Sequence, residues 1–202
     1  MRKLSIFVIA FLLLAFTSAN KSITDKERKT ATELLSQTED GVFNSLVGMS
    51  DAQLNFKPAP DRWSVADCIK HIAVTEHMLW QMTDAALKQA SNPEKRGDIK
   101  ATDEQVVQMI ESRAKKVKTA PPMEPQNTPY KSTADALASF REAREKLIQF
   151  INTTDADLRN HVVTFPAGTY DTYQMILFIG AHSNRHTQQM EEVKADPKFP
   201  KN

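Results

Sequence analysis

One cysteine and five glycines in 202 residues set the first limits on this chain. Cys68 has no second thiol to pair with, so no intrachain disulfide staples the fold, and its stability has to come from a hydrophobic core. Few glycines and little alternation of apolar with polar residues argue against a sheet-rich fold with many tight turns. The longest apolar run, Leu4 to Phe16, is well short of the roughly 20 residues that cross a bilayer. Charge of one sign is missing as well: 26 Lys and Arg face 25 Asp and Glu, scattered throughout, for a formal net charge of +1. The chain therefore carries no basic footprint for nucleic acid or for an anionic membrane. Nor does it contain an internal repeat or a low-complexity tract.

The first residues form a unit of their own. A basic start (Arg2, Lys3), the apolar run and the small residues Thr17-Ser18-Ala19 together predict a secretory signal peptide over residues 1–19. No cysteine follows the run to accept a lipid. The expectation is an extracytoplasmic protein, periplasmic or secreted, with no membrane span after cleavage and a single domain over residues 20–202. Removing Arg2 and Lys3 leaves that domain with a net charge of about −1.

Within the domain, several stretches carry apolar residues at helical spacing, and capping boxes mark where they start. In such a box a Ser or Thr hydroxyl accepts an orphan amide of the first turn while an acid or amide three residues on bonds back. Thr24 with Glu27, Ser64 with Asp67, Thr102 with Gln105 and Ser132 with Asp135 have this form, and Asp171 with Gln174 is a looser version. They predict helices near 24–48, 64–90, 102–118, 132–152 and 171–195. The third has a short stripe (Val106, Val107, Ile110, Val117) and a charged tail, so it is expected at the periphery. Pro58 and Pro60 close the first connection, and Pro121, Pro122, Pro125 and Pro129 forbid helix before the fourth. The fold class is all-α: a four-helix bundle with one long crossover through residues 91–131 and an additional peripheral helix.

The chemistry lies in the last helix. His182-Ser183-Asn184-Arg185-His186 places two imidazoles one turn apart on the stripe Met175, Ile179, His182, His186, Met190 and Val193, and buried ring nitrogens need partners. A metal half-site of this kind requires a third ligand from another helix. His71 shares the broad inner face of the second helix with Cys68, Ile72, Thr75, Met78, Leu79 and Met82. Taken alone, His71 reads first as a core histidine satisfied by a backbone carbonyl. His77 lies well around the helix from it, and His161 precedes the turn-like Phe165-Pro166-Ala167-Gly168, so neither fits as a ligand. Cys68 reads as a small buried thiol, Glu76 as a solvated or paired charge, and the methionines as core filler.

The segment Trp63-Ser64-Val65-Ala66-Asp67-Cys68-Ile69-Lys70-His71-Ile72, followed much later by His182-x-x-x-His186, resembles the paired signature of the DinB/YfiT-like metalloenzymes. The resemblance spans essentially the whole domain. It implies an antiparallel-type four-helix bundle with an unusual crossover, in which three histidines hold a divalent metal at one open end; these carry over to His71, His182 and His186. Imidazole suits zinc, nickel, iron or copper; zinc or nickel is the first expectation for the metal, iron or manganese the second. Characterised relatives include thiol S-transferases that use bacillithiol or mycothiol, chemistry that belongs to the cytoplasm, so an exported member departs from the family pattern at the thiol cosubstrate.

Three readings remain open. The first is a metal-dependent enzyme, a hydrolase or a thiol transferase, acting on an unknown small molecule through unidentified catalytic groups. The second is a non-catalytic metal- or ligand-binding module, and the third a structural bundle whose histidines are satisfied by protein groups. A homodimer is compatible with all three. Converging imidazoles under an accessible polar pocket favour the first, a site sealed by apolar side chains the second, and diverging imidazoles the third.

Overall fold

A computed structural model describes residues 23–201; the expected signal peptide lies outside them. Among the described residues the helices are α1 (Asp25–Asn44), α2 (Asp51–Asn55), α3 (Val65–Leu87), α4 (Asp103–Glu111), α5 (Thr133–Thr153) and α6 (Thr172–Lys194). One hairpin, β1 (Val162–Phe165) and β2 (Gly168–Asp171), separates α5 from α6.

The capping residues do what their chemistry dictates. Thr24, Ser64, Thr102 and Ser132 accept the amides of Glu27, Asp67, Gln105 and Asp135, and each of those side chains returns the bond to the cap's own N–H. Asp171 accepts the Gln174 amide at 2.8 Å, starting α6 directly at the end of the hairpin. Such a cap stabilises a helix by about 1 kcal/mol.

Elements differ from expectation where a local turn or a tertiary contact overrides the periodicity. The first helix stops at Asn44 rather than near 48, because beyond Ser45 the bonds tighten to i→i−3, Leu46 to Phe43 and Val47 to Asn44, and the chain turns through Gly48 at a φ of 74°. The five-residue α2 is too short to show a period, although Ser50 and Gln53 form a full capping box. The third helix ends at Glu111 instead of running to 118: Ser112 is extended, and Arg113 leaves the helix axis to pair with Glu192 of α6. The hairpin was read only as a turn, since strands of four residues hardly alternate. Its register pairs Val162 with Asp171 and Phe165 with Gly168 around Pro166-Ala167. Gly168 sits at a φ of 141°, and a Cβ there would meet the Tyr170 ring at 2.9 to 3.0 Å.

Four long helices form the bundle, and their neighbours are not those of a simple up-and-down chain. Helix α1 packs on α5 and α6, and α3 likewise packs on α5 and α6, so α1 stands diagonally from α3 and α5 from α6. Ties between ends give the directions. Tyr173 donates to the Glu27 carbonyl and Lys194 to that of Ser45, so α1 and α6 run parallel. Arg28, near the start of α1, donates to the Ile151 and Thr154 carbonyls at the end of α5, making that pair antiparallel. His77 meets Ser139 and Trp80 meets Phe150, so α3 and α5 run parallel. Parallel neighbours cannot be joined by a tight turn, which explains why the connection from 88 to 132 has to travel back along the bundle. Helix α4 lies within that connection, on the outside of α6, through the fully buried Val106.

The core has two apolar halves separated by a polar layer. Leu35, Leu79, Leu147, Tyr173, Ile176 and Ile179 belong to the half nearer the hairpin; Val42, Val65, Ile69, Ile72, Phe140 and Met190 belong to the other. Between them along the four helices come Thr38, Glu76, Arg144 and Ser183, all buried. The Arg144 guanidinium, 0% exposed, binds both carboxylate oxygens of Glu76 at 2.6 and 2.8 Å, the Leu35 carbonyl at 2.7 Å, the Thr38 hydroxyl at 2.8 Å and the Ser183 hydroxyl at 2.7 Å. One side chain thus ties all four helices together and sets their rotation about their own axes. Close approach of α1 and α6 is further secured by Gly180, where a Cβ would lie 3.0 Å from Leu34 Cγ.

Candidate metal centre

The three expected histidines come together one helical turn from this polar layer. His71 lies two turns inside the capped start of α3, His182 at the middle of α6 and His186 one turn beyond it, and the antiparallel pairing of α3 with α6 brings them face to face. His182 Nε2 is 3.2 Å from His71 Nε2 and 3.2 Å from His186 Nε2, and one ligand atom from each residue falls within 4.8 Å of the other two. Two imidazole nitrogens held at about 2.0–2.1 Å from a common ion, at angles between octahedral and tetrahedral, lie about 2.9–3.4 Å apart. The two separations from His182 are of that kind, and the third pair, His71 and His186, lies within 4.8 Å. His77 bonds to Ser139 and His161 to the Ala86 carbonyl, both away from the cluster, as expected.

The outer nitrogens determine which tautomers are present. His71 Nδ1 donates to the Met123 carbonyl at 2.8 Å, which leaves Nε2 of the neutral ring without a hydrogen. His186 Nδ1 lies 3.0 Å from Gln189 Oε1, which also accepts from Arg113 Nη1 at 3.3 Å. Since Oε1 only accepts, His186 donates from Nδ1, and its Nε2 is a bare acceptor too. His182 Nε2 stands between these two lone pairs. A single proton there would satisfy one neighbour at most, whereas a cation satisfies all three, so the donor set fits a divalent metal ion.

Burial keeps the rings in their ligating form. It lowers the His71 pKa to about 4, against the opposing effect of the Met123 bond. His182 and His186 are held well below the ordinary imidazole value, first by burial and then by the positive charge that neighbouring histidines would carry. All three are neutral at neutral pH, the state that binds metal.

The surroundings are largely apolar. Trp63, just before the Ser64 cap, stacks on His186 with centroids 5.8 Å apart and an interplanar angle of 24°, and its ring centre is 4.8 Å from that of His71. Phe178 lies parallel to His182 at 6.4 Å. His71 and His186 are buried and His182 half-buried. Cys68 is fully buried, with burial pushing its thiol pKa far up, so it is an inert core residue. Glu76 is committed to Arg144. Sequence reasoning missed Met123, Gln189, Arg113 and Arg144. The first acts through its backbone and carries no residue signal, and the others lie at spacings that only the assembled bundle makes meaningful.

A four-helix bundle with an inward-facing histidine triad spanning α3 and α6 defines a known class. The sequence matches the DinB superfamily over residues 34–190, a stretch that contains all three histidines, and the chain belongs to that superfamily. It is 28% identical over 153 residues to the uncharacterized protein YuaE of Bacillus subtilis (strain 168), covering 75% of this chain and 90% of YuaE. The fold is similar to that of YfiT from Bacillus subtilis, with a TM-score of 0.58 and 14% identity, covering 85% of this chain and 88% of that one. YfiT is described as "a probable metal-dependent hydrolase with an unusual four-helix bundle topology".

Proposed function

We propose that the protein is a divalent-metal-dependent hydrolase in which His71, His182 and His186 are the three protein ligands. The observation that carries the metal-site part of this reading is the convergence of three imidazoles, His182 Nε2 lying 3.2 Å from the Nε2 atoms of both His71 and His186, with the tautomers of those two fixed so that lone pairs face lone pairs. A divalent ion supplies Lewis acidity there, which lowers the pKa of a coordinated water or polarises a carbonyl or phosphoryl oxygen. His71, His182 and His186 would hold the ion by three neutral nitrogens. The description of YfiT supports hydrolysis over thiol transfer, and so does the signal peptide expected over residues 1–19, since export removes the protein from cytoplasmic thiols. We place the protein outside the cytoplasm on that segment; no helix among the described residues is long and apolar enough to cross a membrane.

A second reading, a binding module without chemistry, draws on the enclosure of the site: two of the three imidazoles are buried, Trp63 and Phe178 rings lie against the cluster, and neither of two surface clefts is lined by a triad histidine. Elemental analysis of the purified protein, followed by ester, amide and phosphoester hydrolysis assays and thiol conjugation with the zinc- and nickel-loaded forms, separates the two. Stoichiometric metal with turnover that a chelator abolishes is the result expected of the hydrolase. Stoichiometric metal with no turnover points to the binding module, and conjugation without hydrolysis to the transferase.

A further inference from the structure

The crossover between α3 and α5 makes more contact with the triad than a connecting segment needs to. After α4 ends, Arg113 forms a two-point pair with Glu192 of α6 at 3.0 and 2.8 Å, and its remaining terminal nitrogen, Nη1, donates to Gln189 Oε1 at 3.3 Å. That same oxygen accepts from His186 Nδ1 at 3.0 Å. Two residues on, the Lys115 carbonyl accepts from Arg185 at 2.7 Å. Farther along, a 3₁₀ turn at Pro121–Met123 presents the Met123 carbonyl to His71 Nδ1 at 2.8 Å. The outer nitrogens of both His71 and His186 are therefore governed by one stretch of chain, 113–123, directly at His71 and through Gln189 at His186.

Resting on the metal-site reading above, we propose that Gln189, steered by Arg113, is a positioning residue of the metal centre, and that segment 113–123 is a strap completing it. The physical reason is the tautomer. A neutral imidazole has one hydrogen, and Nε2 can ligate only if that hydrogen sits on Nδ1. Gln189 provides the acceptor that keeps it there, and Arg113 prevents the amide from flipping to offer its NH₂ group instead. Outer partners of this kind orient the ring and raise its basicity, and their loss typically reduces metal affinity about 10- to 100-fold. By reciprocity, an ion that draws on the His71 and His186 lone pairs strengthens the bonds these rings donate, so the strap is held more firmly when metal is bound.

The test is zinc and cobalt(II) affinity, measured by competition with a chromophoric chelator, on the wild type, Gln189→Leu, Gln189→Glu and Arg113→Met. Cobalt absorption spectra and amide hydrogen exchange over 113–123 are recorded on the same proteins. Gln189→Leu is expected to bind about 10- to 100-fold more weakly with an altered cobalt spectrum, Gln189→Glu to recover most of the affinity because a carboxylate also accepts from Nδ1, and Arg113→Met to fall between. Exchange over the strap should slow on adding zinc to the wild type. If Gln189→Leu loosens the strap yet leaves affinity and spectrum at wild-type values, Gln189 is a structural tie only and the inference fails while the metal site stands. If the wild type itself binds neither metal, both fail.

Discussion

Two largely buried polar clusters sit about one helical turn apart in this bundle, and the difference that matters is the balance of donors against acceptors. Around Arg144 the balance closes. Its five N–H groups meet five oxygens from Glu76, Leu35, Thr38 and Ser183. Around His182 it does not, because bare Nε2 atoms of His71 and His186 face the same nitrogen at 3.2 Å. A cluster whose groups satisfy one another is scaffold, and one whose acceptors outnumber its donors requires something from outside. Both are largely buried and both include residues of α3 and α6, so burial and position alone would not separate them.

The comparison can be broken at the scaffold first, where the largest effect is expected. Arg144→Met leaves the Glu76 carboxylate buried without its partner and should destabilise the protein by about 3–5 kcal/mol in urea unfolding. A double variant, Arg144→Met with Glu76→Leu, should recover most of that loss, because neither charge is then stranded. If the double variant is as unstable as the single one, the layer acts through shape rather than charge.

Acid probes the other cluster. In chelator-treated protein well above pH 6.5, His71 is neutral in both folded and unfolded states, so it adds no pH dependence there. Below that, the unfolded chain takes up a proton that the folded one refuses until about pH 4, and stability falls with pH across this window. His71 alone accounts for about 3 kcal/mol of this loss, and His182 and His186 act in the same direction. Their depressed values also let the triad retain metal to lower pH than exposed histidines would. Urea midpoints between pH 7.5 and 4, with and without zinc, check both statements. A His71→Gln variant should show a shallower decline without metal.

The smallest effect on the fold belongs to the substitution with the largest effect on the site. His186→Ala should abolish stoichiometric zinc while changing the stability of the metal-free protein by about 1 kcal/mol, since it also relieves one pair of opposed lone pairs. Circular dichroism and metal content on one sample decide it. A variant that is unfolded at room temperature would make the metal structural.

Legibility in the sequence followed the range of the interaction involved. Capping boxes involve residues three apart, and the four marking α1, α3, α4 and α5 were readable directly. The triad was readable in two parts: helical spacing puts His182 and His186 on one stripe and leaves His71 as the inward histidine of another helix, and the family resemblance is what turned His71 from a core histidine into a ligand candidate. Even the alternative reading of His71 was half right: a backbone carbonyl does satisfy one of its nitrogens, and the other remains for the cluster. What stayed hidden depends on chain pairing. Glu76 was expected to be solvated or paired, but its partner lies 68 residues away on a helix whose parallel alignment with α3 only the crossover permits. The strap was hidden for the same reason, since Pro121 and Pro122 announce a break in helix without saying what the next carbonyl will meet. The helix expected to reach 118 ended early because Arg113 found Glu192, a tertiary contact that outweighs local propensity.

The central claim, that three imidazole nitrogens share one ion, is tested most directly by zinc-edge X-ray absorption on the zinc-loaded wild type. The account predicts about three nitrogen ligands at about 2.0–2.1 Å with the multiple-scattering signature of imidazole, completed by oxygen. Zinc surrounded by oxygen alone, or a coordination shell identical in the wild type and in His186→Ala, would contradict it.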